Sequence, residues 1–155
     1  MNFSAKEDVD VSIDHVFAMM TDFSSFETAA LRRGVEVQRQ DMLSVPGVGM
    51  EWDLKFHYRG KLREVALRLV EFDPPNAIRF RGDGQGMAGK IDVDLVAMSP
   101  ERTRISIDVE LEANNLAARL VLQSLKLART KMNKTFHTRV AAYATQLEDR
   151  FRQIS

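Results

Sequence analysis

The chain has 155 residues, 45% of them hydrophobic and 28% charged, with no cysteine and a formal net charge of zero. Disulfides, thiolate nucleophiles and cysteine-based zinc sites are excluded outright, and the balanced charge argues against a nucleic-acid binder driven by bulk positive potential. The length suits one domain spanning 1–155, able to bury roughly 70% of its unfolded surface without staples.

The first stretch, "MNFSAKEDVDVSIDHVF", carries acids where a secretory signal would need an apolar run. No window approaches the ~20 apolar residues of a membrane span, so no membrane span is expected and the cytoplasm is the expected compartment. A short strand should end near Val11, and a helix should follow, with Ser12 as its N-cap and Asp14 in its first turn. "FSSFETAALRRG" predicts a second short helix stopped by Gly34. "VEVQRQDM" alternates as a strand, and "SVPGVG" is a turn.

"EWDLKFHYRGKLREVALRL" then predicts a hairpin over 51–69. Trp52, Leu54, Phe56 and Tyr58 share one face, while Glu51, Asp53, Lys55 and His57 share the other. With "RG" as a two-residue turn, Tyr58 pairs with Lys61 and the whole register follows. Trp52 then faces Leu67 and Leu54 faces Val65, while Glu51 meets Arg68 and Lys55 meets Glu64. Apolar pairs on one face and opposite charges on the other support a single register. "FDPPNA" is a loop. Three further strands follow, with Ile78 and Phe80, then Ile91, Val93 and Leu95, then Ile105, Ile107, Val109 and Leu111 turned inward. From about Asn115 to Phe151 the apolar period changes to 3.6, predicting one amphipathic helix on the order of 50 Å long. The stretch 113–147 contains no Asp or Glu but carries Arg119, Lys126, Arg129, Lys131, Lys134 and Arg139.

Strands gathered together, with helices outside the run, predict an α+β fold with an antiparallel sheet. This layout resembles the helix-grip fold of the START and polyketide-cyclase-like (SRPBCC) superfamily, which includes Bet v 1-type proteins. The resemblance is carried by "VDVSIDHVFAMMTD", "PGVGMEWDLKF", "LVEFDPPNAIRFRGDGQGMAG", "SPERTRISIDVEL" and the long terminal helix, in that order. It implies a curved antiparallel sheet wrapped around the C-terminal helix, two short helices after the first strand, and an apolar cavity between sheet and helix. It also implies small-molecule binding, with cyclase, aromatase or hydrolase activity in some members. The superfamily has no universal catalytic set, so no catalytic residue is assigned.

The expected ligand-binding residues are Trp52, Leu54, Phe56, Tyr58, Arg63, Phe80, Met132, Phe136 and Val140, because an aromatic wall with a few polar groups is the usual construction of a small-ligand site. Tyr58 and Arg63 would orient a polar or anionic group. "GQGMAG" matches G-x-G-x-x-G, but a strand follows it where a dinucleotide site needs a helix, so it is read as a flexible hairpin loop at the cavity mouth. His15, His57 and His137 lack metal-ligand spacing, and Asp92, Asp94, Asp108 and Glu110 are assigned to a surface where Arg79 and Arg81 pair with Asp92 and Asp94. No metal and no cofactor are called for. The cations of the terminal helix are read as its solvated side. The expected partner is a hydrophobic small molecule; a homodimer is compatible with the sequence, and nucleic acid is not expected. Two other functions remain open: a polyketide cyclase or dehydratase-like enzyme, and an accessory or assembly factor acting through the basic helix.

Overall fold

A computed structural model describes residues 1–154. The elements run β1 (Asn2–Val9), α1 (Ile13–Met20), α2 (Phe23–Arg32), β2 (Glu36–Arg39), β3 (Glu51–Tyr58), β4 (Lys61–Asp73), β5 (Ala77–Gly84), β6 (Met87–Ser99), β7 (Arg102–Ala113), α3 (Leu116–Leu127) and α4 (Arg129–Ile154). The seven strands form one antiparallel sheet in the order β1-β7-β6-β5-β4-β3-β2. Register shifts near Leu69–Glu71 in β4 and Ala97–Ser99 in β6 are of the kind that bends strands and lets a sheet curl. The result is the helix-grip arrangement, an α+β fold whose curved sheet holds the C-terminal helix against its inner face.

The β3–β4 hairpin has the register expected from its residues. Tyr58 pairs with Lys61, Leu54 with Val65, and Trp52 with Leu67, around a turn whose Arg59 and Gly60 both take positive φ. That turn type matches the twist of the strands it joins, and glycine enters it without strain. On the outer face Lys55 reaches Glu64 at 4.0 Å, whereas Arg68, though opposite Glu51, pairs instead with Asp83 at 3.5 Å. Arg79 binds Asp94 and Glu71, and Arg81 binds Asp92, as the alternation of β5 and β6 requires. Such half-exposed pairs contribute ~1 kcal/mol or less each. The fold is held instead by the apolar cluster of Val9, Val11, Val16, Phe17, Leu69, Ile105 and Leu147, each 6% exposed or less.

Two expectations are corrected. The terminal helix is not continuous: α3 ends at Leu127, Ala128 takes a non-helical ψ of 17°, and α4 starts at Arg129. Neither glycine nor proline stands there, so the sequence carries no breaker at the joint. The glycine-rich stretch is the expected hairpin, but its connection is shorter than a loop. β5 runs to Gly84 and β6 starts at Met87, leaving only Gln85 and Gly86 as a turn, both with positive φ. Its glycines act as spacers. A side chain on Gly84 would run into the backbone of Glu64, and one on Gly86 into Asn115, the residue that caps α3 by accepting from Ala118 N at 2.8 Å. Ser12 does stand at the N-cap of α1, but its hydroxyl faces His15 Nδ1 at 2.7 Å rather than a backbone N–H.

The segment between β2 and β3 is pinned by Asp41. Its carboxylate accepts from Arg39 Nη2 at 2.6 Å and Nε at 2.8 Å, and from the backbone N–H groups of Leu43 at 3.0 Å and Glu51 at 2.8 Å. The Arg39 guanidinium, helped by those N–H groups and opposed by burial, holds the Asp41 carboxyl far below the usual carboxylate range.

Two outcomes follow from these contacts. Gly84→Ala should cost about 1–3 kcal/mol in urea unfolding, because two strand backbones must separate to admit the methyl group. Asp41→Ala should lower Tm fully at pH 6, where the carboxylate is charged in both the folded and the unfolded chain. The gap to wild type should shrink as pH falls below the ordinary value of 3.8, since a depressed native pKa stabilises fully only above it. A gap independent of pH would contradict this role.

Candidate functional site

The inward residues of the sheet fall into three successive layers along the strands. At one end α1 and the last turns of α4 close a solid core over Val9, Leu69, Leu95 and Ile105, with Leu147 fully buried against it. Further along, the cover lifts. The backbone of α4 approaches the sheet most closely along β1, at one edge, where Phe136 meets Phe3 with ring centroids 5.9 Å apart. α2 lies against β2, at the other edge. The middle strands are thus floored but not filled.

The first space this leaves is an inner cavity of about 510 Å³. Its floor is Trp52 and Leu54 of β3, Leu67 of β4, Ile78 and Phe80 of β5, Ile91 and Val93 of β6, and Ile107 of β7. Phe23, Phe26, Glu27 and Ala30 of α2 form one wall, and Phe136, Arg139, Val140 and Tyr143 of α4 the other. Phe23, Trp52 and Phe80 form an aromatic triad with centroids 5.4, 6.1 and 6.2 Å apart. Trp52 is only 4% exposed; its indole N–H donates to Glu27 Oε1 at 3.0 Å, and the Arg39 guanidinium lies 5.8 Å from its ring. The lining is overwhelmingly apolar, with few polar atoms.

One polar atom stands out. The Tyr143 hydroxyl is buried and has no hydrogen-bond partner among the described residues. Burial pushes its phenol well above the usual tyrosine range, outweighing the nearby positive charge of Arg150, so it remains a neutral O–H donor. A buried, unpartnered hydroxyl costs stability. Tyr143 also packs against Phe26 across the gap between α2 and α4, with ring centroids 5.9 Å apart.

The second space, an outer cavity of about 640 Å³, lies further along the same face under α3 and the first turn of α4. Phe56 and Tyr58 of β3, Lys61, Arg63 and Val65 of β4, Leu111 of β7, Ala118 and Val121 of α3 and Met132 of α4 line it. Gly82 and Gly84 occupy inward positions of β5 and Gly89 one of β6, so the floor has no side chains there. The Arg63 guanidinium lies 6.0 Å from the Tyr58 ring, which places a cation at this wider mouth.

The nine residues expected to form one site are therefore divided. Trp52, Leu54, Phe80, Phe136 and Val140 line the inner cavity, and Phe56, Tyr58, Arg63 and Met132 the outer one. The α2 wall and the pair Arg139 and Tyr143 were missed. Their signal is a helical stripe at 23, 26, 27 and 30 facing one at 136, 139, 140 and 143. His57 and His137 are exposed, and His15 packs its ring on Phe151, so none of the three reaches a cavity. Among the described residues no group of three or more His, Asp or Glu side chains could hold a metal ion, and no helix is long and apolar enough to cross a membrane. Tyr143→Phe should leave the ligand-free protein as stable or up to about 1 kcal/mol more stable in urea, because only an unsatisfied hydroxyl is lost. A loss of stability would mean the hydroxyl has a partner in the native protein.

No protein-family profile and no characterised protein sequence matches the chain. Solved structures do. The chain superposes on a protein from Thermus thermophilus with a TM-score of 0.68 at 16% identity, covering 100% of this chain and 99% of that one. It superposes on the Zhui aromatase/cyclase of Streptomyces sp. R1128 with a TM-score of 0.67 at 14% identity, covering 97% and 95%. A START superfamily protein from Mycobacterium smegmatis gives 0.60 at 14% identity, covering 99% of both chains. At these identities the likeness is one of fold. The chain has the helix-grip fold of the START and polyketide-cyclase-like superfamily.

Proposed function

We propose that this protein binds a hydrophobic small molecule in the inner cavity, between the middle of the sheet and helices α2 and α4. The observation that carries the reading is an apolar space of about 510 Å³ walled by the Phe23–Trp52–Phe80 triad. Its size lies within the range of small-molecule sites, and its lining has their usual composition, mainly apolar with few polar groups. Apolar contact with the Phe23–Trp52–Phe80 triad would supply affinity, and Tyr143 on the opposite wall would add to that contact. Leu54, Phe136 and Val140 complete the contact surface. The outer cavity, with Phe56, Tyr58, Arg63 and Met132, serves as the approach or holds a more polar extension of the same ligand.

A second reading, cyclase-like catalysis, has one observation in its favour. Glu27 is a carboxylate on the inner wall, and Tyr143 a proton donor on the opposite one. A carboxylate so placed could act on a bound substrate, and an aromatase/cyclase shares this fold. Glu27, however, already accepts the Trp52 N–H, which makes it a support for the aromatic wall before it is a base. Binding without chemistry is the reading preferred here.

The test fills the cavity. Val140→Phe should keep stability within about 1–2 kcal/mol of wild type, because the added ring enters existing space. Native mass spectrometry of the wild type should show a co-purifying small molecule, or uptake of an added apolar probe, that Val140→Phe loses. Leu111→Phe in the outer cavity should retain it. Retention in Val140→Phe, or no uptake by the wild type, would overturn the assignment.

A further inference from the structure

We infer that the ligand is an anionic amphiphile, a single apolar chain ending in a carboxylate or phosphate, whose head is held in a cationic recess outside the inner cavity. The inference rests on the proposed binding function and adds the chemistry of the ligand's polar end.

The recess is an open hollow of about 960 Å³ lined by Arg33, Lys131, Lys134, Thr135, Thr138 and Arg139. It holds four cations, two hydroxyls and no acid. None of the four cations forms an ion pair among the described residues, whereas Arg39, Arg79, Arg81 and Arg104 are all paired. Four like charges around one hollow repel one another, and an anion bound among them relieves that repulsion. An arginine presents a fork matched to carboxylate or phosphate oxygens, and lysine adds mobile point charge.

The recess and the inner cavity share a residue. Arg139 lines both. On α4, Phe136, Val140 and Tyr143 face the cavity, Lys131, Lys134 and Thr138 lie round the helix toward solvent, and Arg139 and Thr135 fall between the two sets. At the end of α2 the chain passes within one turn from Ala30 in the cavity to Arg33, the residue capping the helix, in the recess. Arg139 is therefore the residue at which the apolar wall gives way to the cations. An amphiphile bound there keeps its charge at the solvated end and its chain in the dry one. The carboxylate on the cavity wall, Glu27, is absent from the recess lining and is engaged by Trp52 Nε1, with Arg39 close enough to feel its charge.

The experiment compares dodecanoate, dodecyl phosphate and dodecanol by calorimetry at low ionic strength, with wild type and the Arg33→Gln/Lys131→Gln/Lys134→Gln protein, whose three changes lie outside the inner cavity. At least one of the two acids should bind the wild type tenfold or more tighter than the alcohol, and this advantage should fall as salt is added. The triple variant should lose the advantage while binding dodecanol as the wild type does. Arg139→Lys, which keeps the charge, should keep most of it. Equal affinity for acids and alcohol, or equal weakening of all three ligands in the variant, would overturn the inference and leave the cavity assignment standing. Failure of all three ligands to bind would overturn both. Sedimentation with phosphatidylglycerol vesicles that the triple variant loses, without any preference for free acid over alcohol, would assign the cations to a bilayer surface and refute the inference.

Discussion

A curved sheet with one apolar face must be covered, and here the covering helix lies along an edge of that face. α4 is fixed at two places: at β1, where Phe136 meets Phe3, and at its far end, where Leu147 and Ala144 enter the solid core and Arg150 reaches Asp22 at 3.5 Å. Those anchors hold the helix away from the middle strands. α2, against β2, holds the opposite edge. What lies between is a volume that neither helix can fill, walled by aromatic rings that pack on one another around it. Everything proposed about function depends on that separation.

The polar chemistry of the molecule is sorted by the same geometry. On the convex face, arginines and carboxylates alternate across β4, β5 and β6 and satisfy one another, as with Arg79 between Asp94 and Glu71. On the concave face polar groups are few, and each has a distinct position. Glu27 tethers Trp52, Arg63 sits beside Tyr58 at the outer mouth, and Arg139 marks the boundary between the inner cavity and the basic recess. Tyr143 alone, among the described residues, presents a buried polar side-chain atom with no partner. Unsatisfied groups of this sort are rare in folded proteins; this one is enclosed by protein near Arg150 and Asp22, while Tyr143 as a residue lines the cavity.

Much of the fold was legible in the residues because two independent patterns agreed. In 51–69 a single register places Trp52 against Leu67 and Lys55 against Glu64 at once; a slip of one residue would have exposed every aromatic side chain. Periodicity reports which face a residue occupies but not how far the opposing layer stands from it. Trp52 and Phe56 lie on the same face of β3, yet they line different cavities, because the cover changes from α4 to α3 between them. The break at Ala128 that produces this change carries no glycine or proline and was invisible. The hairpin of "GDGQGMAG" was legible, but its tightness was not: Gly82, Gly84 and Gly89 sit at inward strand positions, where a missing side chain makes room, and only Gln85 and Gly86 form the turn. The basic helix was visible as a charge pattern, but only the folded chain shows that Arg33, from the end of a different helix, completes the cluster.

The chain has a single tryptophan, and it lies on the floor of the inner cavity. Its fluorescence therefore reports directly on whether that space is dry, enclosed and open to apolar molecules. Titration with a brominated alkyl chain, a short-range quencher, should start from a blue-shifted emission and end in saturable quenching at one equivalent. A red-shifted starting spectrum, or quenching no stronger than that of free tryptophan at the same concentration, would contradict the separation of helix and sheet on which the account rests.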